Sequence, residues 1–134
     1  AVRLHQELSD FAEYAALRIV SYGIELNLVG PPTPEIEAIV AQETRLYRAL
    51  PIPVRYRSVS RSLRELEAVR DRIYADYGYW QEQGVELSTW GPDIETNTVK
   101  VRLAHYTKAY ADALITRYGN AVTVYPHGYT VRTA

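Results

Sequence analysis

The sequence predicts an α+β fold: two β-β-α-β halves, each a three-stranded sheet plus one helix, joined by a long central helix and preceded by an N-terminal helix. Three observations predict it. Apolar residues switch repeatedly between helical and alternating spacing. Two strand pairs sit around the turn-forming groups Tyr22-Gly23 and Gly91-Pro92-Asp93. After each pair come a threonine-capped helix and one more strand, so hairpin, helix, strand occurs twice. Identity between the halves is weak, and the repeat rests on element order.

Residues Leu4, Leu8, Phe11 and Ala15 have helical spacing and predict an opening helix from Leu4 to Ala15. Leu17, Ile19 and Val20 then form one short strand. Ile24, Leu26 and Leu28, alternating with Glu25 and Asn27, form a second strand with one buried face. Gly30-Pro31-Pro32 closes the hairpin. Thr33 suits a helix N-cap, Pro34 the first helical position, and Glu35 and Glu37 the positive end of the helix dipole. Ile36, Ile39, Val40 and Leu46 continue that helix on one face. Leu50-Pro51-Ile52-Pro53 stops it, because proline cannot extend a helix. Val54 to Val59 alternates as a third strand.

Ser62 and Glu65 have capping-box spacing and open a long helix. Its apolar stripe is Leu63, Leu66, Val69, Ile73, Tyr77 and Trp80. Gly78 weakens it, and Gly84 is expected just past its C-terminal end. Val85 to Trp90 reads as a strand and Gly91-Pro92-Asp93 as a turn. In the next strand Val99, Val101 and Leu103 alternate with Lys100 and Arg102. Thr107 caps a helix carrying Tyr110, Ala111, Leu114, Ile115 and Tyr118, which Gly119 closes. Ala121 to Tyr125 is the last strand, and Tyr129 to Ala134 an extended polar tail. Leu26 and Leu28 correspond to Val101 and Leu103. The expected division is 1–60 for the N-terminal helix and first half, 61–84 for the connecting helix, and 85–134 for the second half with its tail.

Composition bounds the function. The chain has 134 residues, 47% of them apolar, and a formal net charge of −1. That is globular, and without a long basic run nucleic acid is not an implied partner. No apolar stretch approaches the roughly 20 residues of a membrane span. There is no cysteine, so disulfides and thiolate chemistry are excluded. The aromatic content is twelve tyrosines, two tryptophans and one phenylalanine. Tyrosine, with an apolar ring and polar tip, suits half-buried sheet surfaces. Neither an initiator methionine nor a signal peptide opens the chain, so Ala1 reads as a cut end.

No catalytic constellation emerges. His5, His105 and His127 lack metal-ligand neighbours at helical spacing, and each reads as a surface or interface histidine. No Gly-x-Ser-x-Gly elbow and no glycine-rich phosphate loop is present. Glu65, Glu67, Asp71 and Asp76 lie beside Arg64, Arg70 and Arg72, the pattern of a solvated, ion-paired helix face. Asp93, Glu95 and Asn97 alternate like a calcium loop, but the glycine and the terminal glutamate of such a loop are missing. No catalytic residue, cofactor site or metal site is therefore expected, and the chain is not expected to be an enzyme. The aromatic residues could mark a carbohydrate or peptide surface, with Trp90 the best exposed ring. Packing in core and sheet is the commoner role of such rings.

The segment from Val54 through the Ser62-Leu63-Arg64-Glu65-Leu66 helix start resembles a known family, as does the hairpin motif carried by Trp90, Asp93, Asn97, Val99 and Val101. Both look like the pro regions of the α-lytic protease and streptogrisin group of secreted bacterial serine proteases. The resemblance covers most of residues 14 to 125. The central helix is longer than the family leads one to expect. The resemblance implies a secreted propeptide of a zymogen, acting as an intramolecular chaperone for a chymotrypsin-like serine protease domain and then as its inhibitor. It further implies a partner-binding surface. Strand pairing would involve Trp90 and Thr98, Val99, Lys100, Val101 and Arg102, together with Val122, Thr123, Val124 and Tyr125. The tail Tyr129, Thr130, Val131, Arg132, Thr133 and Ala134 would lie in the protease active site. A stand-alone secreted module that reuses the fold to bind a ligand or another protein is the alternative.

Overall fold

A computed structural model of the chain describes residues 2–45 and 52–126. The fold is α+β, with a three-stranded sheet in each of two compact units, Ala1–Arg64 and Glu65–Ala134.

The first unit contains α1 (Val2–Leu8), β1 (Tyr14–Val20), β2 (Gly23–Leu28), α2 (Pro34–Arg45) and β3 (Val54–Ser58). Strand β2 is central, antiparallel to β1 and parallel to β3. Leu4 and Leu8 of α1, Ile36 and Val40 of α2, and Ile24, Leu26 and Leu28 of β2 close one core. Thr33 caps α2 as expected, its hydroxyl accepting the Ile36 N–H at 3.2 Å. Leu46, Leu50 and Pro51, expected at the end of that helix, lie outside the described residues.

The opening helix is shorter than its periodicity predicts. It stops at Leu8, and Tyr14 and Ala15 belong to β1. Ser9 and Asp10 are poor helix formers, and the Ser9 hydroxyl donates back to the Gln6 carbonyl at 2.9 Å where the helix ends. Downstream, the sheet claims Tyr14, which pairs with Leu28 and is 1% exposed. Gly23 opens β2 at a φ of 148°, and a Cβ there would stand 2.2 Å from the Pro53 carbonyl oxygen. That oxygen accepts the Ile24 N–H at 2.9 Å, so this close approach requires glycine.

The chain continues through α3 (Leu63–Ala75) and α4 (Tyr77–Glu82) into β4 (Leu87–Asp93), β5 (Thr98–Leu103), α5 (Lys108–Tyr118), a 3₁₀ turn at Gly119–Ala121 and β6 (Val122–Pro126). The single helix expected from Ser62 to Gln83 is thus two helices. The interruption falls at Asp76, two residues before the glycine expected to weaken it. Gly84 does end α4, at a φ of 79°. Its N–H bonds the Gln81 carbonyl at 3.0 Å and the Val85 N–H bonds that of Trp80 at 2.9 Å, the paired closure of a Schellman motif. Leu66, Ile73 and Trp80 pack with Val99, Val101 and Leu103 of β5 and Leu114 and Tyr118 of α5. The segment expected to serve as a connector therefore supplies the second core, as α1 supplies the first.

Gly91, Pro92 and Asp93, expected as a turn, lie inside β4. Strand β4 is an edge, where the missing N–H of Pro92 breaks no ladder bond. The turn follows it. The Asp93 carboxylate accepts the Thr96 hydroxyl at 2.7 Å and its N–H at 3.2 Å, and Asn97 takes a φ of 55°.

The repeat holds at the level of register. In the second sheet β5 is central, antiparallel to β4 and parallel to β6. Tyr14↔Leu28 and Leu87↔Leu103 are matching pairs, and each is followed by a register shift that skips one residue, Ala15 or Ser88. Ile24↔Val54 matches Val99↔Val122. Even a loop bond repeats: Val29 N–H to the Glu13 carbonyl at 2.8 Å, and Ala104 N–H to that of Glu86 at 3.0 Å.

Candidate partner-binding surface

Alternation along β5 and β6 sorts the expected contact residues onto two faces. Val99, Val101 and Val122 are buried in the core and Val124 packs against it. Thr98, Lys100, Arg102, Thr123 and Tyr125 belong to the opposite face. The Thr98 hydroxyl lies 2.7 Å from that of Thr96 and 2.9 Å from that of Thr123. Lys100 Nζ stands 5.2 Å from the centre of the Tyr125 ring and 3.9 Å from Asp93 Oδ1. Thr98 is buried and its hydroxyl is taken up by these bonds, so this face offers the half-buried Thr123, a cation over an aromatic ring, and an open patch at Gly91, where a Cβ would meet nothing within 4 Å.

Edge position decides which backbone can pair with a partner. Strand β5, expected to take part, is paired on both sides, and its amides and carbonyls are committed. In this sheet only β4 and β6 have an outer edge unpaired among the described residues. Proline and glycine interrupt β4. Strand β6 carries no charge, and its one proline, Pro126, is its last residue, so Val122 to Tyr125 lack the features that blunt natural edges. The first sheet differs, since its edge strand β3 carries Arg55 and Arg57. Tyr129 to Ala134, expected as the tail, lie outside the described residues.

Trp90 is half-buried rather than free. One side packs on the core. Tyr77 stacks on it at 6.0 Å between ring centres and 27° between planes, and Tyr74 lies at 6.4 Å. Tyr74 is 72% exposed, so the three rings present an aromatic surface on the second unit. Tyr74 and Tyr77 are three residues apart, a helical spacing that marks a shared face. Sequence reading assigned Tyr77 to the apolar stripe instead.

A polar network at the α3–α4 break also escaped sequence reading. Asp76 Oδ2 accepts Arg117 Nε at 3.0 Å and the Tyr118 hydroxyl at 2.7 Å. The Tyr118 oxygen in turn accepts the Trp80 indole N–H at 2.8 Å. The bonds from Arg117 and Tyr118 hold the Asp76 carboxyl below its usual range, against an opposing contribution from burial. Burial is the main cause that pushes the Tyr118 phenol up. These groups satisfy one another and pin the helices of the second unit.

His5 Nδ1 lies 2.6 Å from the Tyr14 hydroxyl, and His105 Nε2 3.7 Å from Glu86. His127 is outside the described residues. Among the described residues no group of three or more His, Cys, Asp or Glu side chains could hold a metal ion, and no helix is long and apolar enough to cross a membrane. No protein-family model matches the chain, and no curated protein matches its sequence.

Proposed function

We propose that the chain is a non-catalytic, secreted pro region that assists the folding of a chymotrypsin-like serine protease domain and then inhibits it. The observation that carries this reading is the uncharged outer edge of β6, unpaired among the described residues, on the sheet that also holds the hairpin residues Trp90, Asp93, Val99 and Val101. Strand addition to such an edge supplies affinity through main-chain hydrogen bonds, and alternate side chains supply specificity. The edge of β6 does the pairing. Thr98 to Arg102 of β5 contribute side chains on the outer face and no pairing backbone.

The test is to refold a denatured α-lytic-type protease with this chain added in trans. Recovered activity, followed by inhibition of the native enzyme, is the expected result. A Thr123→Lys/Tyr125→Lys double variant should weaken inhibition at least about tenfold by blunting the edge. No gain in active enzyme together with no inhibition overturns the reading.

A second reading, a stand-alone binding module, is favoured by the exposed Tyr74–Tyr77–Trp90 surface. Aromatic platforms of this kind suit carbohydrate rings or peptides. Quenching of Trp90 fluorescence by soluble oligosaccharides, lost in Tyr74→Ala, would distinguish it.

A further inference from the structure

The helices of the second unit form a cleft that is independent of the strand edge. Its volume is about 490 Å³, within the roughly 300–1,000 Å³ range of ligand pockets. Tyr79, Trp80 and Gln83 line one side, from α4 and its end. Tyr110, Ala113 and Arg117 of α5 line the other. Arg117 is the one charged residue in the described lining.

Arg117 is held in place from outside the cleft. Its Nε donates to Asp76 Oδ2 at 3.0 Å, and Asp76 is not part of the lining. Its guanidinium carbon stands 4.3 Å from the centre of the Tyr79 ring and 6.0 Å from that of Trp80. Tyr79 is itself set edge-on against Trp80, at 5.0 Å and 75°. A guanidinium fixed by a carboxylate and a ring loses little freedom when it takes a ligand. The bond to Asp76 engages Nε alone. The terminal fork, Nη1 and Nη2, makes no hydrogen bond among the described residues, and the side chain is 38% exposed. The preceding helix turn does not fill the fork either. Positions three and four before Arg117 are Leu114 and Ala113, neither a carboxylate.

Charge and shape together select the ligand. Arg72 and Arg117 both act on Asp76, so one carboxylate faces two guanidinium groups and a positive charge is left over. Helix-end carbonyls would oppose an anion here. They are engaged: those of Trp80 and Gln81 accept the Val85 and Gly84 N–H groups, and that of Arg117 accepts Arg72 Nη2 at 3.3 Å. A guanidinium fork matches the two oxygens of a carboxylate in parallel, charge-assisted bonds. A phosphate dianion would find no second cation in the described lining, and a bare inorganic anion would leave the aromatic walls uncovered. Gly84 keeps the far end open, because a Cβ there would stand 3.5 Å from the Tyr110 hydroxyl.

We propose that this cleft binds small organic acids, with the carboxylate on the terminal fork of Arg117 and an apolar body against Val85 and Tyr110. The probe is 3-phenylpropionate, titrated into the full chain at pH 7 and low salt and followed by backbone amide NMR. Its neutral isostere is 3-phenylpropanamide. Saturable shifts centred on Gln83, Gly84, Val85 and Ala113 are expected for the acid. The acid should bind at least about tenfold more tightly than the amide, through charge-assisted bonding. Arg117→Gln should bring the acid down to the level of the amide and leave the amide unchanged. Ala113→Glu places a competing carboxylate one turn before Arg117, at an exposed position of α5, and should weaken the acid similarly. Equal affinity for the two probes, acid shifts elsewhere or without saturation, or unchanged acid affinity in either variant that folds overturns the proposal.

Discussion

Trp80 is 2% exposed, and its indole N–H has its partner in the hydroxyl of Tyr118, itself 7% exposed. Removing that hydroxyl leaves a buried donor unpaired, and such a group loses its hydration without compensation. Tyr118→Phe should therefore destabilise the chain by about 1–3 kcal/mol, measured by urea unfolding at pH 7. The next residue in the network sets a pH dependence. The folded-state pKa of Asp76 is depressed, so its contribution is present at neutral pH, above the unfolded-state value, and is lost as pH falls through the folded one. Asp76→Asn should flatten the acid limb of the stability profile, and an unchanged acid limb would show that other carboxylates govern it.

At the scale of elements, two glycines of similar prominence in the sequence have opposite roles. Gly23 admits the Pro53 carbonyl to a place a Cβ would occupy. Gly23→Ala should cost more than about 1 kcal/mol, because the native backbone there does not accept an L side chain. Gly78 lies in α4 at an ordinary φ, and a Cβ there would meet nothing within 4 Å. Gly78→Ala should stabilise by about 0.5–1 kcal/mol through reduced freedom of the unfolded chain and better helix propensity. Thermal unfolding of the two variants checks both signs. The strands carry a related lesson. Lys100 and Arg102 alternate with valines in β5 as a half-exposed strand should, yet alternation cannot say whether a strand is central or an edge. That depends on β6, which returns beside β5 after a whole helix.

For the whole molecule, the two hydrophobic clusters share no residue. Leu26 and Leu114 are each 0% exposed, one in each cluster. Truncating either to alanine should cost about 2–5 kcal/mol. Because the sites share no partners, the double variant should equal the sum within about 0.5 kcal/mol. Hydrogen exchange should show each single substitution lowering protection first in its own unit, and a uniform loss would mean that the cores are coupled.

The sequence by itself determined the order of elements, the threonine caps of α2 and α5, the glycine end of α4 and the correspondence of Leu26 and Leu28 with Val101 and Leu103. All of these are encoded by neighbours within a few residues, where periodicity and capping act. Tertiary structure decided where α1 yields to β1, because the partner of Tyr14 is Leu28, fourteen positions away. It decided the break at Asp76, whose carboxylate is held from α5, and it placed β5 at the centre and β6 at the edge of the second sheet. It also buried Glu43. The one local signal was an acidic residue three positions after Val40 on an apolar helix face. Interactions that span tens of residues leave no periodic trace in the chain, so they become visible only when the strands and helices that carry them meet.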